Sequence, residues 1–107
     1  MTDKRIVLTT AGSQEEARKI AHALVERRLA ACVNILGPLE SVYRWRCKVE
    51  AAAEFLLVIK TTAGAFARVR DAIRKMHSYE VSECIVLNVE DGSEAYLKWL
   101  GNSVRSS

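Results

Sequence analysis

Phe55-Leu56-Leu57-Val58-Ile59-Lys60 sets five apolar residues in a row before a lysine. A short apolar run rich in branched side chains reads as a β-strand. Successive strand side chains point to opposite faces, so this strand is apolar on both. Ile85-Val86-Leu87 repeats the pattern. An antiparallel sheet with helices on one face only should instead alternate apolar and polar.

Working outward from this strand gives the rest of the order. Upstream, Arg46-Cys47-Lys48 marks a turn, and Leu39 to Trp45 is the partner strand of a hairpin. That strand begins earlier, over residues 30–36, and Gly37-Pro38 interrupts it, because proline removes a ladder donor and signals a bulge or bend. Further upstream, residues 5–10 form a first strand that stops at Ala11-Gly12. Ser13-x-x-Glu16 is a capping-box pattern opening a helix with Ala17, Ile20, Ala21, Leu24 and Val25 on one stripe. The helix ends at Arg27-Arg28, where cations suit its dipole.

Downstream, a second helix runs from about Ala63 to Met76 with Phe66, Val69, Ile73 and Met76 toward the core. A fourth strand spans Glu83 to Val89. Asp91-Gly92 then leads to a Ser93-capped helix with Tyr96, Leu97 and Leu100 inward. The order β-α-β-β-α-β-α is an α+β, ferredoxin-like βαββαβ sandwich with an extra C-terminal helix. Residues 1–107 form one domain, near the commonest domain size. The two-sided strands require cover on the open face, either from the third helix or from self-association. One short helix cannot cover four strands, so self-association is the expectation.

Composition narrows the function classes. The chain is 50% hydrophobic and 27% charged, with net charge +3, an ordinary globular balance that does not demand a polyanionic partner. Ile6-Val7-Leu8 is far too short for a membrane span or signal core, so no membrane partner is expected. Three widely spaced cysteines without a C-x-x-C point to a reducing cytoplasm. No Gly-rich phosphate loop or marked nucleophile–base pair is present, so the expectation is no enzyme. RNA-recognition modules of this topology need exposed aromatics on the central strands. The first strand has none and the third only Phe55, so no nucleic acid is expected.

Five segments, in order, resemble the divalent-cation-tolerance (CutA) family: Ala30-Ala31-Cys32-Val33-Asn34-Ile35, Ser41-Val42-Tyr43-Arg44-Trp45, Ile59-Lys60-Thr61, His77-x-Tyr79-Glu80-Val81-x-Glu83 and Tyr96-Leu97-x-Trp99. The resemblance implies a trimeric ferredoxin-like protein, with strands of neighbouring subunits paired edge to edge around a central core. It implies a non-enzymatic role in tolerance to divalent metals, copper among them, by weak metal binding or through a partner. It also implies the alternative of a PII-like module binding a small anionic effector between subunits. Three departures stand out. Cys47 replaces a usual glycine, and Ser78 and Ser82 replace usual prolines. Where copper-linked members carry a Cys and a His pair, this chain has Thr9, Met76 and His77.

Candidate site residues follow from these segments. His77, near Glu80 and Glu83, and Met76, whose thioether suits Cu(I), are the metal candidates; the other reading of His77 is a helix cap. Tyr43, Trp45, Glu54, Lys60, Tyr79 and Glu80 either surround an inter-subunit cleft or build the trimer interface. In a cleft, the rings offer stacking faces and Lys60 an anion contact, while the glutamates offer cation or hydroxyl contacts. Cys32 reads as a buried inert thiol. Cys47, in an exposed turn among Arg44, Arg46 and Lys48, is the reactive-thiol candidate. No cofactor is required, though a divalent metal such as copper could serve.

Overall fold

The computed structural model describes residues 2–105. The two-sided run becomes the inner half of β3 (Lys48–Thr62), which lies between β1 (Lys4–Ala11) and β2 (Cys32–Trp45). On the other side of β1, β4 (Ile85–Asn88) completes the order β2-β3-β1-β4, with every neighbour antiparallel. Helices α1 (Gln14–Glu26) and α2 (Phe66–Met76) cover one face, and α3 (Glu94–Ser103) follows β4. This is the expected ferredoxin-like arrangement, with β4 shorter than the sequence suggested.

The covered face holds the core. Val7, Ala11, Leu57 and Ile59 of the sheet meet Ile20, Leu24, Val69 and Ile73 of the helices, all of them buried. Full burial stabilises by about 1.5–3 kcal/mol per large apolar side chain. Val33, Ile35, Phe55, Phe66 and Met76 pack around this centre. Phe55 therefore faces the helices and offers no stacking platform. Val25, at the end of the α1 stripe, is exposed. Outward, the two helices and their caps carry Arg18, Lys19, Arg27, Arg28, Arg68, Arg70, Arg74 and Lys75 against Glu15, Glu16, Glu26 and Asp71.

The caps differ in detail from the sequence pattern. Ser13 Oγ accepts the Glu16 amide at 3.1 Å, as a cap should. Glu16 does not return the bond to Ser13, and its carboxylate accepts the amides of Gly12 (3.4 Å) and Ser78 (2.9 Å) instead. At the other end, α1 stops at Glu26, and Arg28 enters the left-handed region at φ 58°. This turns the chain so that the Leu29 and Ala30 amides both donate to Leu24 O, satisfying a terminal carbonyl. Arg28 then donates to Asn102 O (3.0 Å) and Ser103 O (3.4 Å) at the end of α3, where helix carbonyls lack partners.

Beyond this tie, α3 packs at the end of the two central strands, with Gly101 beside Lys4. Leu100 and Val104 join Ala65 and Ala31 in a small second cluster. Leu97 is half-buried, but Tyr96 is exposed and lies beside exposed Trp99, with ring centroids 5.5 Å apart. The inward reading of Tyr96 does not hold within one chain.

Cross-strand pairing puts Ile6, Leu8, Leu36, Leu56, Val58, Ile85 and Leu87 together on the face opposite the helices. Leu36, Ile85 and Leu87 remain 48%, 50% and 44% exposed. The third helix therefore does not provide the cover that the two-sided strands require.

The interruption at Gly37-Pro38 is a bulge within one continuous β2. Leu36 pairs with Leu56, and the next pair is Leu39 with Glu54, so two residues of β2 oppose Phe55 alone. Gly37 sits at φ +145°, where a Cβ would lie 2.9 Å from the Phe55 ring and 3.0 Å from Glu54 O. An extra residue reverses the alternation beyond it. Cys32, Asn34 and Leu36 are on the open face before the bulge, whereas Leu39, Ser41, Tyr43 and Trp45 occupy that face after it. The hairpin then turns through Arg46 (φ 51°) and Cys47 (φ 66°), between paired Trp45 and Lys48. Two left-handed central residues are the hallmark of a type I′ turn, here with Cys47 at a position that favours glycine. A left-handed residue with a Cβ costs roughly 1–2 kcal/mol, partly offset by the unfolded-state entropy of glycine. Cys47→Gly is expected to raise unfolding stability by about 1 kcal/mol, read as a higher denaturant midpoint at unchanged slope; a lower midpoint would count against the strain.

Candidate functional site: an acidic, aromatic cleft

Residues 77–84, between α2 and β4, have no regular secondary structure and are held by side chains. His77 ends α2, its amide donating to Ile73 O at 2.9 Å. Its ring is held on both sides: Nε2 bonds Thr10 O, and Nδ1 accepts the Tyr79 amide at 3.1 Å. The second bond makes Nδ1 the acceptor and Nε2–H the donor. Ser78 donates its amide to Glu16, which a proline could not do. Tyr79 then reaches under the segment and donates its hydroxyl to Glu54 Oε2 at 2.9 Å. Gly12 leaves room for that hydroxyl, since a Cβ there would lie 2.9 Å from it.

This strap and the β2–β3 hairpin enclose a cleft of about 670 Å³, within the range of small-molecule sites. Its walls are Tyr43, Trp45, Ser41 and Val42 from β2, Glu50 and Glu54 from β3, Tyr79, Glu80, Val81 and Glu83 from the strap, and Thr10 from β1. The bulge is what turns Ser41, Tyr43 and Trp45 toward it. Four carboxylates line the cleft, and among the described residues no Lys, Arg or His does. Glu54 is only 7% exposed, while Glu50, Glu80 and Glu83 are open to solvent. At the rim Arg46 meets Glu80 at 3.5 Å; both are exposed, and such pairs contribute little.

Electrostatics follows the geometry. Burial pushes the Tyr79 phenol up to about 12, and the hydrogen bond to Glu54 and its charge add to the effect. At Glu16, partial burial pulls the carboxyl pKa upward, but the bonds from Ser78 and Gly12 outweigh it and hold the group below its usual range. Burial raises the Cys84 thiol.

A family model described as CutA1 divalent ion tolerance protein matches residues 5–103. The chain belongs to this family. It is 46% identical over 97 residues to the divalent-cation tolerance protein CutA of Thermus thermophilus, covering 91% of this chain and 94% of that protein. It is 41% identical over 101 residues to the chloroplastic CutA of Arabidopsis thaliana, covering 94% of this chain but 56% of that longer protein. The solved structure of the Thermus thermophilus Cut A1 protein superposes with a TM-score of 0.93 at 44% identity, covering 95% of this chain and 99% of that one.

With the CutA1 fold established, the sequence candidates can be placed. Tyr43, Trp45, Glu54, Tyr79 and Glu80 do come together in the cleft. Lys60 does not: its ammonium bonds Asn34 Oδ1 on the open sheet face, because its strand position pairs it with Cys32 and Ile6. A small anionic effector in this cleft would meet carboxylates without the Lys60 contact. Met76 is half-buried against the core. Among the described residues no three His, Cys, Asp or Glu side chains converge as a metal site. Cys47 is exposed at the hairpin tip, and Cys32 and Cys84 are half-buried free thiols. Glu50 was missed, although counting back from the two-residue turn places it opposite Tyr43. The Glu16–Ser78 tie carried no sequence signal, since Glu16 read as a capping-box partner.

Two outcomes test this geometry. Tyr79→Phe leaves buried Glu54 without its donor and is expected to lower stability by about 1–3 kcal/mol, measured by denaturant unfolding. The raised phenol contributes stability that is full below pH 10.0 and lost as pH rises toward about 12, so the wild-type alkaline loss should be smaller in Tyr79→Phe. For Glu16 the sign is opposite. Its contribution is full above its ordinary 4.5 and lost as pH falls through the lowered value, so the Ser78 amide resonance should shift with acid in wild type and stay fixed in Glu16→Ala.

Proposed function

We propose that the chain serves divalent-cation tolerance as a non-enzymatic homotrimer that meets cations weakly at the acidic cleft or passes them to a partner. The cleft carries this reading: four carboxylates, with no lining cation among the described residues, concentrate positive ions at its mouth. Divalent ions with oxygen preference suit such ligands. Copper would find less here, because both His77 nitrogens are engaged and Met76 lies outside the cleft, against the core. Thr10 and Ser41 are the aliphatic hydroxyls in the cleft, and among the described residues no histidine lines it to activate either, which supports a binding role over catalysis.

The open face supports the assembly. Its seven apolar side chains lie together, with Leu36, Ile85 and Leu87 exposed, and contiguous exposed apolar groups of this kind mark interaction surfaces; covering them would add stabilisation at about 25 cal/mol per Å² buried. Three unpaired thiols suit the cytoplasm. Among the described residues no helix is long and apolar enough to cross a membrane.

Light scattering should give three times the 11.9 kDa chain mass, and Val58→Glu, at the middle of the open face, should give a folded single chain. A single-chain mass for wild type would refute the assembly. Calorimetric titration with Mn(II), Zn(II) and Cu(II) should show weak binding that Glu50→Gln with Glu83→Gln reduces severalfold and His77→Ala leaves unchanged. Tight stoichiometric copper binding abolished by His77→Ala would move the site to the imidazole.

A further inference from the structure

On the opposite side of the molecule the charge is reversed. A notch of about 140 Å³ lies between the end of α1 and the outer stripe of α2, lined by Arg27, Arg68, Asp71, Ala72, Lys75 and Met76. The α2 members recur at three- and four-residue spacing, which places them along one helix face. Arg27 reaches the notch because Arg28, not Arg27, takes the left-handed position that turns the chain toward α3.

The single anion in the notch is already compensated. Asp71 is met by Arg70 at 3.3 Å and by Arg74 at 3.4 Å, and neither of these arginines lines the notch. Arg68 is half-buried and spends one Nη2 bond on Arg105 O at 3.0 Å, which orders its guanidinium while leaving other donors free. Among the described residues the Arg27 and Lys75 head groups have no hydrogen-bond or ion-pair partner. In the last turn of α1 the Ala23, Leu24 and Val25 carbonyls, which would repel an anion, are covered by the Arg27, Leu29, Ala30 and Arg28 amides.

We propose that this notch binds a phosphate-type oxyanion, with the Arg27 and Arg68 guanidiniums as forked donors and Lys75 as a point charge. Planar guanidinium forks match phosphate oxygens, and charge-assisted bonds of this kind are the strong ones. The volume seats a single phosphoryl group and is too small to enclose a nucleotide-sized ligand, for which about 300 Å³ or more is usual. The Ala72 and Met76 side chains give a small apolar floor, suited to the carbon of a phosphomonoester.

The proposal is independent of the acidic cleft. Inorganic phosphate is titrated into the full chain at ionic strength held constant with chloride, followed by amide resonances of residues 68–76. Saturable binding is expected, weakened about tenfold or more by Arg27→Ala and by Lys75→Ala, and unaltered by Arg44→Ala on the distant hairpin. These exposed substitutions should leave the fold intact, which unfolding midpoints verify. Repeating the titration with glycerol phosphate, and sedimentation with phosphatidic-acid vesicles, separates a soluble ester from a lipid headgroup as the source. Linear, non-saturating shifts, or equal weakening in Arg44→Ala, would show simple charge screening and overturn the site.

Discussion

Side chains on a β-strand alternate between the two faces of the sheet, and this molecule is organised by where that alternation is kept and where it is broken. Along β1 and the inner half of β3 it is kept, so Val7, Leu57 and Ile59 meet the helices while Leu8, Leu56 and Val58 point away. Both sets are apolar, and only the first has a partner within the chain. At Gly37-Pro38 the alternation is broken, and the hairpin beyond it presents Tyr43 and Trp45 to the side where the strap passes. The apolar open face and the acidic cleft are therefore neighbours on one surface, separated by a single bulge.

The sequence made the fold legible because its strands and helices have distinct periods. The third strand was visible from five apolar residues, the second helix from Val69, Ile73 and Met76, and the bulge from a proline that cannot donate. Several site residues were legible through family segments, and five of the six cleft candidates do converge. What the sequence hid depended on geometry between distant positions. Lys60 lies on the open face and not in the cleft of one protomer, and its face assignment needs the strand register, which no local pattern supplies. Tyr96 was read as inward from helical spacing, yet α3 packs by its Leu100 edge at the end of the two central strands. Glu16 looked like half of a capping box and instead holds a segment from the other end of the chain.

Charge is partitioned as clearly as hydrophobicity. Carboxylates gather in the cleft, and arginines and lysines gather on the helix layer, on opposite sides of the sheet. The modest net charge of +3 is thus the residue of two opposed local fields. Attraction of small ions depends on the local field and not the total, so one protomer can favour cations on one side and oxyanions on the other.

The strap also bears on the order of folding. Glu16 and Ser78 are 62 residues apart in the chain, and Thr10 and His77 are 67 apart. Closing loops of that length costs more chain entropy than forming the β2–β3 hairpin, and contacts of long sequence separation slow folding. The cleft exists only once both β-α-β halves have met, so its formation waits on contacts of long sequence separation. A protein that meets its ligand there couples ligand affinity to the docking of its two halves.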